Sequence, residues 1–484
     1  MNCDTLIRNA NVLDGSGADA QLADVAIVGG RIASIGSPLP HRATNIIEAE
    51  GLALAPGFID VHTHDDTSVI ETPEMLPKIS QGITTVIVGN CGISASPVRL
   101  KTGYPPDPMT LLGSRECFRY PAFADYLSAL KDARPSVNVA VLIGHTSLRN
   151  NHLERLDRAA TESEIAAMHA ELASALSAGA LGLSTGLAYA NANAASTEEV
   201  LSLSAALIGA NAIYTTHLRT ETDAILDAMN EAFSIGRYAQ SPVIISHLKC
   251  AGIDNWGRSQ EVLHALEQAR ITQQIGCDCY PYAAGSSTLD LKQVDPRVRI
   301  EITWSAPYPE AAGRTLGEIA SEWNVSHLDA ARRLQPAGAI YHSIDEQDMR
   351  RILAHPATMI GSDGLPWDKH PHPRLWGTYP RVLGRYCREE KLFSLPQAIH
   401  KMTCMPAQRF GLAERGQIAE GYCADLVLFD ADTIRDTATF ADPIRTAEGI
   451  HSVWVNGTLS YTAQGLTASR SGRFLPRERT QWVQ

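Results

Sequence analysis

The run Gly-Phe-Ile-Asp-Val-His-Thr-His (57–64) begins as an apolar strand and ends in two imidazoles. Side chains two residues apart on a strand point to the same side, so His62 and His64 face one way. Imidazole is a common zinc ligand, and two of them at one strand end form half of a metal site. Taken alone, the pair fits equally well with two histidines that cap a core strand.

Seven further strand patterns follow this run, and helical patterns separate them. Several are near-continuous apolar runs, such as 84–88 and 243–245, which is typical of strands covered on both faces. Helical periodicity is clearest at 161–178, which opens with a capping box, and at 222–236. The predicted strands are 57–62, 82–89, 137–143, 180–185, 212–217, 242–247, 275–280 and 357–362. This alternation predicts an α/β fold, a (β/α)8 TIM-like barrel.

Both chain ends have the pattern of short β-strands separated by turns. Residues 4–55 and 416–462 alternate in this way, and the second stretch contains an Asn-Gly hairpin turn. We therefore expect a small β-sandwich domain built from 1–55 and 415–484, with the barrel at 56–414. The gap between strands seven and eight is too long for one crossover, so 286–345 is predicted to be an insertion over the barrel mouth.

Composition restricts the classes of function. The chain has 484 residues, and its 41 basic and 53 acidic side chains give a formal charge of −12, which argues against nucleic acid or an anionic membrane as partner. No segment reaches the roughly 20 apolar residues of a membrane span, and the N-terminus lacks a signal-peptide pattern. Nine cysteines, with Cys277 and Cys279 interpreted as free thiols, favour the cytoplasm over a disulfide framework.

Polar side chains collect where the predicted strands end, which is where such barrels carry their catalytic groups. The side chains at or just beyond the ends of strands one, two, five, six and eight are His62, His64, Cys91, His217, His247, Lys249 and Asp363. Each has an ordinary alternative, such as a core cysteine, a hydrogen-bonded histidine or a Ser-Asp-Gly turn. Five such coincidences at one face of one barrel favour a functional site.

With these motifs the chain resembles the amidohydrolase superfamily and, within it, the N-acyl-D-amino-acid deacylases (D-aminoacylases). The motifs that carry the resemblance are 57–64, Gly-Asn-Cys-Gly-Ile-Ser (89–94), Ser-Thr-Gly-Leu-Ala-Tyr (184–189), Gly-Ser-Asp-Gly-Leu-Pro (361–366) and His-Pro-Arg-Leu-Trp-Gly (372–377). Many superfamily members bridge two metals with a carboxylated lysine at the end of strand four. This chain has no lysine between Lys131 and Lys249, and Cys91 matches the cysteine that takes that place in the deacylases.

The resemblance implies a ligand set and a reaction. The ligands implied for one tightly bound Zn2+ are Cys91, His217 and His247. Those implied for a second, weaker metal site are His62, His64 and Asp363. Asp363 is also the implied catalytic group, which takes a proton from water and passes it to the departing amine. The implied substrate is a small N-acyl-D-amino acid, which is split into a carboxylate and a free D-amino acid.

The resemblance also implies contacts with the substrate. The residues that match carboxylate-binding positions of the family are Lys249, Tyr280 and Arg374. Weaker candidates for lining the pocket are Tyr189, Ser286 and Tyr341. An ungapped register places Val294 at the position that meets the substrate side chain, which implies a neutral, apolar group such as that of Leu, Met or Phe. A shift of two residues places Lys292 there and implies D-glutamate or D-aspartate instead.

Two other classes of function stay open at this point. Another zinc amide hydrolase would act on a dipeptide or a cyclic amide, although Arg374 favours a free carboxylate on the substrate. A non-catalytic scaffold would keep the barrel without the metal. Such proteins usually lose ligands, and all six implied ligands are present in this sequence.

Overall fold

Eight parallel strands with helices between them form the centre of the protein. Its computed structural model describes residues 2–40, 42–101 and 103–478. Barrel strands one to eight are Phe58–Asp60, Ile83–Val88, Asn138–Val141 with Ile143–Gly144, Gly182–Gly186, Ile213–His217, Val243–Ile245, Ile275–Cys279 and Thr358–Ile360. Each begins and ends within two residues of its predicted bounds. The predicted α/β barrel is confirmed.

The barrel closes at two irregular places. Strand three breaks at Leu142, so that its first part pairs with strand two and its second part with strand four. Strands one and eight meet through the residues just after them, where Asp363 N donates to the carbonyl of His62 at 2.7 Å and Thr63 forms a parallel bridge with Gly364. We call this contact the seam.

Helices surround the strands. The α-helices of at least seven residues outside the insertion are Phe123–Ala133, His145–His152, Glu162–Ser177, Thr197–Ser204, Ile225–Ala239, Ser259–Arg270, Glu346–Ala354, Arg374–Arg381, Leu395–Met402 and Cys404–Phe410. A π-helix, Val382–Glu389, follows Arg374–Arg381 directly. The capping box predicted at 161–164 is present, because Glu164 N donates to the Thr161 hydroxyl at 3.4 Å and Thr161 N donates to the Glu164 carboxylate at 2.8 Å. The second predicted helix begins three residues late, at Ile225, and ends at Ala239.

Strands from both chain ends form one nine-stranded sheet. They are Asn2–Val12, Gln21–Val28, Arg31–Gly36, Arg42–Glu48 and Ala53–Pro56 from one end, and Leu426–Phe429, Ile450–Val455, Thr458–Thr462 and Gly465–Leu466 from the other. The two ends join where Ala53–Pro56 pairs antiparallel with Leu426–Phe429. Asn456 and Gly457 have φ values of 48° and 77°, as the predicted hairpin turn requires.

Between strands seven and eight the chain forms a small unit of its own. It contains an antiparallel sheet of Gly285–Thr288, Ala337–Tyr341 and Ile300–Ser305 and two helices, Leu316–Glu322 and His327–Leu334. Its apolar side chains, among them Ile302, Ile319 and Leu334, form a separate buried cluster. The segment between strands seven and eight therefore has its own core.

All nine cysteines, including Cys277 and Cys279, are free thiols and are buried. In the described part of the chain, every helix is too short or too polar to cross a membrane.

Candidate metal centre

Six side chains with metal-binding atoms converge beyond the C-terminal ends of the barrel strands, as the sequence predicts. They form two clusters that share the thiol of Cys91, and within each cluster the candidate ligand atoms lie within 4.8 Å of one another. The members of one cluster are His62, His64, Cys91 and Asp363, and those of the other are Cys91, His217 and His247. Thiolate, imidazole and carboxylate are the donors that zinc prefers, so the residues present fit this metal.

The first strand ends earlier than predicted, at Asp60, so His62 and His64 lie in the segment after the strand. They still face one centre. Nε2 of His64 lies 3.2 Å from a carboxylate oxygen of Asp363, and Nε2 of His62 lies 3.5 Å from the same atom. The seam fixes this arrangement, because His64 N also donates to the carbonyl of Gly364 at 3.1 Å.

Cys91 lies in a tight loop after strand two. A Cβ atom added to Gly92, which has a φ of 76°, would lie 2.6 Å from the backbone nitrogen of Gly186. The loop therefore packs against strand four where only glycine fits. This close approach places the sulfur of Cys91 3.2 Å from Nε2 of His62 and 3.4 Å from Nε2 of His247.

Three of the six candidate ligands have a left-handed backbone. The φ values are 53° at Cys91, 36° at His247 and 50° at Asp363. This region is unfavourable for residues other than glycine, and such strain concentrates at functional sites. The surrounding strands hold these side chains in positions that the free chain disfavours.

The charges of the site favour ionised ligands. Burial raises the pKa of the Cys91 thiol, but His62 and His247 outweigh this effect and hold that pKa well below its usual value. Burial likewise opposes ionisation of Asp363, and Arg374 and His62 outweigh it, so the pKa of this carboxyl is also well below its usual value. Thiolate and carboxylate are the forms that bind a metal.

Two carboxylates that the sequence analysis missed contact the outer nitrogens of the histidines, and they are the buried Asp278 and the partly buried Glu221. Asp278 on strand seven lies 3.2 Å from Nδ1 of His62 and accepts from His247 N at 2.9 Å. Glu221, after strand five, lies 3.0 Å from Nδ1 of His247 and 3.9 Å from Nε2 of His217. Carboxylates at the outer nitrogens fix the ring orientation and tautomer of metal-binding histidines.

Arg374, predicted to bind the substrate carboxylate, lies beside Asp363. Its Nη1 is 2.8 Å from an Asp363 oxygen, its Nη2 donates to the carbonyl of Ser286 at 3.0 Å, and its guanidinium carbon is 4.6 Å from the centre of the Tyr280 ring. Nε of Arg374 and the hydroxyl of Tyr280 are buried without a hydrogen-bond partner in the described chain. Buried polar groups are normally satisfied, so these two atoms indicate a polar ligand site.

Lys249 also lies beside the ring of Tyr280, but its ammonium is already paired with Glu221. Its Nζ donates to Glu221 at 2.6 Å and lies 5.9 Å from the centre of the Tyr280 ring. Burial lowers the pKa of Lys249, but Glu221 more than compensates and the pKa is raised above its usual value. The lysine is therefore a fixed cation at the edge of the site.

Tyr189 also reaches the metal-binding cluster. Its ring centre lies 4.9 Å from that of His217, and its hydroxyl accepts from the Ser287 hydroxyl at 3.4 Å. It lies between the second cluster and the insertion.

The other pocket candidates lie within residues 286–345 themselves. The Tyr341 hydroxyl donates to the carbonyl of Thr288 at 3.0 Å and accepts from Asp290 N at 2.8 Å. Val294 packs against the apolar core of the insertion, and Lys292 is exposed. Their roles toward a substrate stay predictions.

Comparison of the sequence with known proteins agrees with this geometry. The model of the amidohydrolase family matches residues 45–232 and 263–461. An N-acyl-D-aspartate deacylase of Alcaligenes xylosoxydans xylosoxydans is 49% identical over 483 residues, which cover 99% of this chain and 97% of that protein. A D-aminoacylase of the same organism is 48% identical over 474 residues, 98% of each chain.

Solved structures agree as well. A D-aminoacylase studied for the role of its binuclear metal centre, with one-metal activation and second-metal attenuation, has a TM-score of 0.96 at 48% identity, covering 98% of this chain and 100% of that one. An N-acyl-D-glutamate deacylase of Bordetella bronchiseptica, complexed with zinc and a phosphonate mimic of its tetrahedral intermediate, has a TM-score of 0.95 at 43% identity with the same coverage. The chain belongs to the amidohydrolase family and, within it, to the N-acyl-D-amino-acid deacylases.

Proposed function

We propose that the protein is a zinc-dependent enzyme that hydrolyses the amide bond of small N-acyl-D-amino acids to a carboxylate and a free D-amino acid. The observation that carries this proposal is the pair of clusters sharing Cys91, with Asp363 joined to a buried Arg374 at 2.8 Å. A metal-binding centre thus adjoins a cation that suits a substrate carboxylate.

The tightly bound zinc is assigned to Cys91, His217 and His247. Three protein ligands with an open fourth position are typical of catalytic zinc. A second, weaker site is assigned to His62, His64 and Asp363, and a relative with a binuclear centre and one-metal activation supports this division. Zinc, when bound, supplies Lewis acidity toward the amide carbonyl and the attacking water.

Asp363 is assigned proton transfer between water and the departing amine. Its low pKa keeps it ionised and able to accept a proton, and the seam holds it against the strand-one histidines. Arg374 and Tyr280 are assigned to the substrate carboxylate because each has a buried polar atom without a partner in the described chain. Lys249 adds a positive charge beside them.

Side-chain preference is the finer part of the proposal. We assign a preference for neutral, hydrophobic side chains, as the Val294 register implies. The alternative is an acidic substrate met by Lys292, and it has support in the names of two relatives, an N-acyl-D-aspartate and an N-acyl-D-glutamate deacylase. Since relatives of similar identity differ in this respect, overall identity does not decide it.

The finer architecture is also a proposal. We assign 1–55 and 415–484 to one β-sandwich domain beside a barrel at 56–414, and the antiparallel pairing between the two chain ends supports this. The insertion at 286–345 is assigned to the barrel mouth, since Ser286 contacts Arg374 and Ser287 contacts Tyr189. The cytoplasm stays the predicted compartment, which nine free thiols support.

The zinc-loaded protein should be assayed with N-acetyl-D-leucine, N-acetyl-L-leucine and N-acetyl-D-glutamate in parallel. We expect release of D-leucine only. Asp363→Asn should lower kcat by about a hundredfold or more, as expected for loss of a general base. Asp295→Asn is the control, because this aspartate lies in an ion pair with the exposed Arg297.

Each other outcome has a definite meaning. Preference for N-acetyl-D-glutamate would keep the reaction and overturn the assignment of Val294 in favour of Lys292. Turnover of the L-substrate alone would refute the assigned stereochemistry. No turnover of any substrate with zinc bound would refute linear N-acyl amino acids as the substrate class and favour dipeptides or cyclic amides.

A further inference from the structure

Lys78 is a fully buried lysine in a short helix that follows strand one. Its ammonium has four oxygen neighbours. It donates at 2.8 Å to each of three groups and lies 3.2 Å from a fourth, and these belong to Asp60, Thr63, Ser362 and, at the longer distance, Asp65. A buried charge is tolerated only when paired and hydrogen-bonded in this way.

The same network joins the ends of strands one and eight. Asp60 accepts from the backbone nitrogen of Ser362 at 2.8 Å and from its hydroxyl at 2.6 Å. Asp60 also accepts from His62 N at 3.4 Å, and one residue beyond Ser362, Asp363 N donates to the carbonyl of His62 at 2.7 Å. Lys78 therefore lies directly behind the seam that carries both a histidine ligand and the proton-transfer carboxylate.

The segment that carries Lys78 is anchored a second time. Nε2 of Gln81 donates to the carbonyl of Leu375 at 2.9 Å, and Tyr379 N donates to Oε1 of Gln81 at 3.2 Å. Both partners lie on the helix that begins at Arg374. One segment thus supports the strand-one histidines, strand eight and the helix of the carboxylate-binding arginine.

We propose that Lys78 is a positioning residue that sets the separation between the strand-one histidines and Asp363. It acts through Asp60, Thr63 and Ser362, each of which precedes or adjoins a ligand of the weaker metal site. The tight site lies on strands two, five and six, away from this network. The inference rests on the proposed function in taking Asp363 as the proton-transfer group.

The test is Lys78→Gln, which keeps an N–H donor, now an amide in place of the ammonium, and removes the charge. Zinc binding is followed by competition with a chromophoric chelator, which resolves a tight and a weak step. We expect the weak step to lose about 10- to 100-fold in affinity, while the tight step changes by less than about threefold. In the assay, kcat should fall about tenfold or more with little change in KM, because the ligand and base geometry is disturbed while Arg374 stays in place.

Lys401→Gln is the matched control. Lys401 is also a buried lysine, but it lies at the opposite end of strand eight, where its ammonium donates to the carbonyls of His355 and Thr358. An effect that comes only from losing a buried lysine side chain should appear in both variants. Ser362→Ala removes one member of the network without removing a charge. If Lys78→Gln does not fold, Ser362→Ala is used in its place.

Equal weakening of both zinc steps, or the same changes in Lys401→Gln, would overturn the proposal. So would unchanged zinc binding and kcat in both Lys78→Gln and Ser362→Ala. If the wild type binds zinc in a single step, the changes in kcat and KM of Lys78→Gln decide the test. The titrations need no substrate, so a wild type that turns over no N-acyl amino acid would refute the proposed function and leave the role of Lys78 to be decided by zinc binding.

Discussion

The carboxylate of Glu221 contacts two candidate zinc ligands and a lysine that is predicted to bind the substrate. It lies 3.0 Å from Nδ1 of His247, 3.9 Å from Nε2 of His217 and 2.6 Å from Nζ of Lys249. Burial raises the pKa of Glu221, but Lys249 and His217 outweigh it and the pKa lies well below its usual value. Because the outer nitrogens face this carboxylate, the inner nitrogens are left for the metal.

Glu221→Gln should therefore weaken zinc binding at the tight site about 10- to 100-fold, since the amide keeps the shape but not the charge that orients the rings. Chelator competition measures the change. Glu171→Gln is the control. Glu171 also contacts a histidine, His152, at 2.9 Å, but this pair lies at the partly exposed surface, away from the metal centre. Unchanged zinc affinity in Glu221→Gln, or an equal loss in Glu171→Gln, would contradict the assigned role.

At the scale of elements, the sequence predicts where the strands lie, but it does not predict the contacts between the residues at their ends. Apolar runs such as 84–88 reveal a strand because both of its faces are buried, and ligand-bearing residues just after strands must meet at one barrel face. Asp278 also left a signal, as the only charged residue in the strand Ile275–Cys279. Glu221 and Lys78 left none, because their contacts with His247 and Ser362 join segments that only the fold brings together.

Backbone conformation limited the prediction in another way. His62 and His64 were expected on the strand itself, but the strand ends at Asp60 and the seam with strand eight positions them. The positive φ values of Cys91, His247 and Asp363 arise from packing between loops, and the periodicity of apolar residues in the sequence does not reveal such packing. Likewise the contacts of Val294 depend on how the insertion folds, and no spacing in the sequence determines that.

The loop after strand eight contacts the insertion through a buried acid, Asp368. His370 N in this loop donates to the carbonyl of Thr303 at 3.0 Å. Burial raises the pKa of Asp368 to about 7, although the Thr303 hydroxyl and Arg374 act in the opposite direction. The folded state thus holds a proton on this carboxyl at pH values where the unfolded chain has released it.

The contribution of Asp368 to folding stability should therefore fall as pH rises from about 4 to about 7, and this loss is complete above that window. At about 1.4 kcal/mol per pKa unit, the effect of Asp368 is at most on the order of 4 kcal/mol. Asp368→Asn should be more stable than the wild type at pH 8 and similar to it near pH 4. Urea unfolding at both pH values measures this, and a stability difference that does not depend on pH would contradict it. Asp19→Asn, an exposed change, serves as the control.

At the scale of the whole molecule, the candidate ligands connect distant parts of the chain. They lie at or just after the ends of barrel strands one, two, five, six and eight, from His62 to Asp363. The unfolded chain does not bring these atoms together, so zinc binds the native state preferentially and its binding free energy adds to folding stability. The centre is thus expected to hold the barrel closed as well as to catalyse.

Free zinc at about a hundred times its dissociation constant should stabilise the protein by about 2.7 kcal/mol, seen as a rise in the thermal unfolding midpoint that a chelator reverses. Cys91→Ser should abolish most of this rise, because both clusters share that sulfur. Cys277→Ser is the matched control, since it also replaces a buried barrel thiol, one that lies 3.3 Å from the Thr358 hydroxyl rather than among the ligands. It should lower the midpoint of the metal-free protein and keep the full response to zinc. A Cys91→Ser protein that responds to zinc like the wild type would show that the metal binds elsewhere, and the ligand assignment would then be wrong.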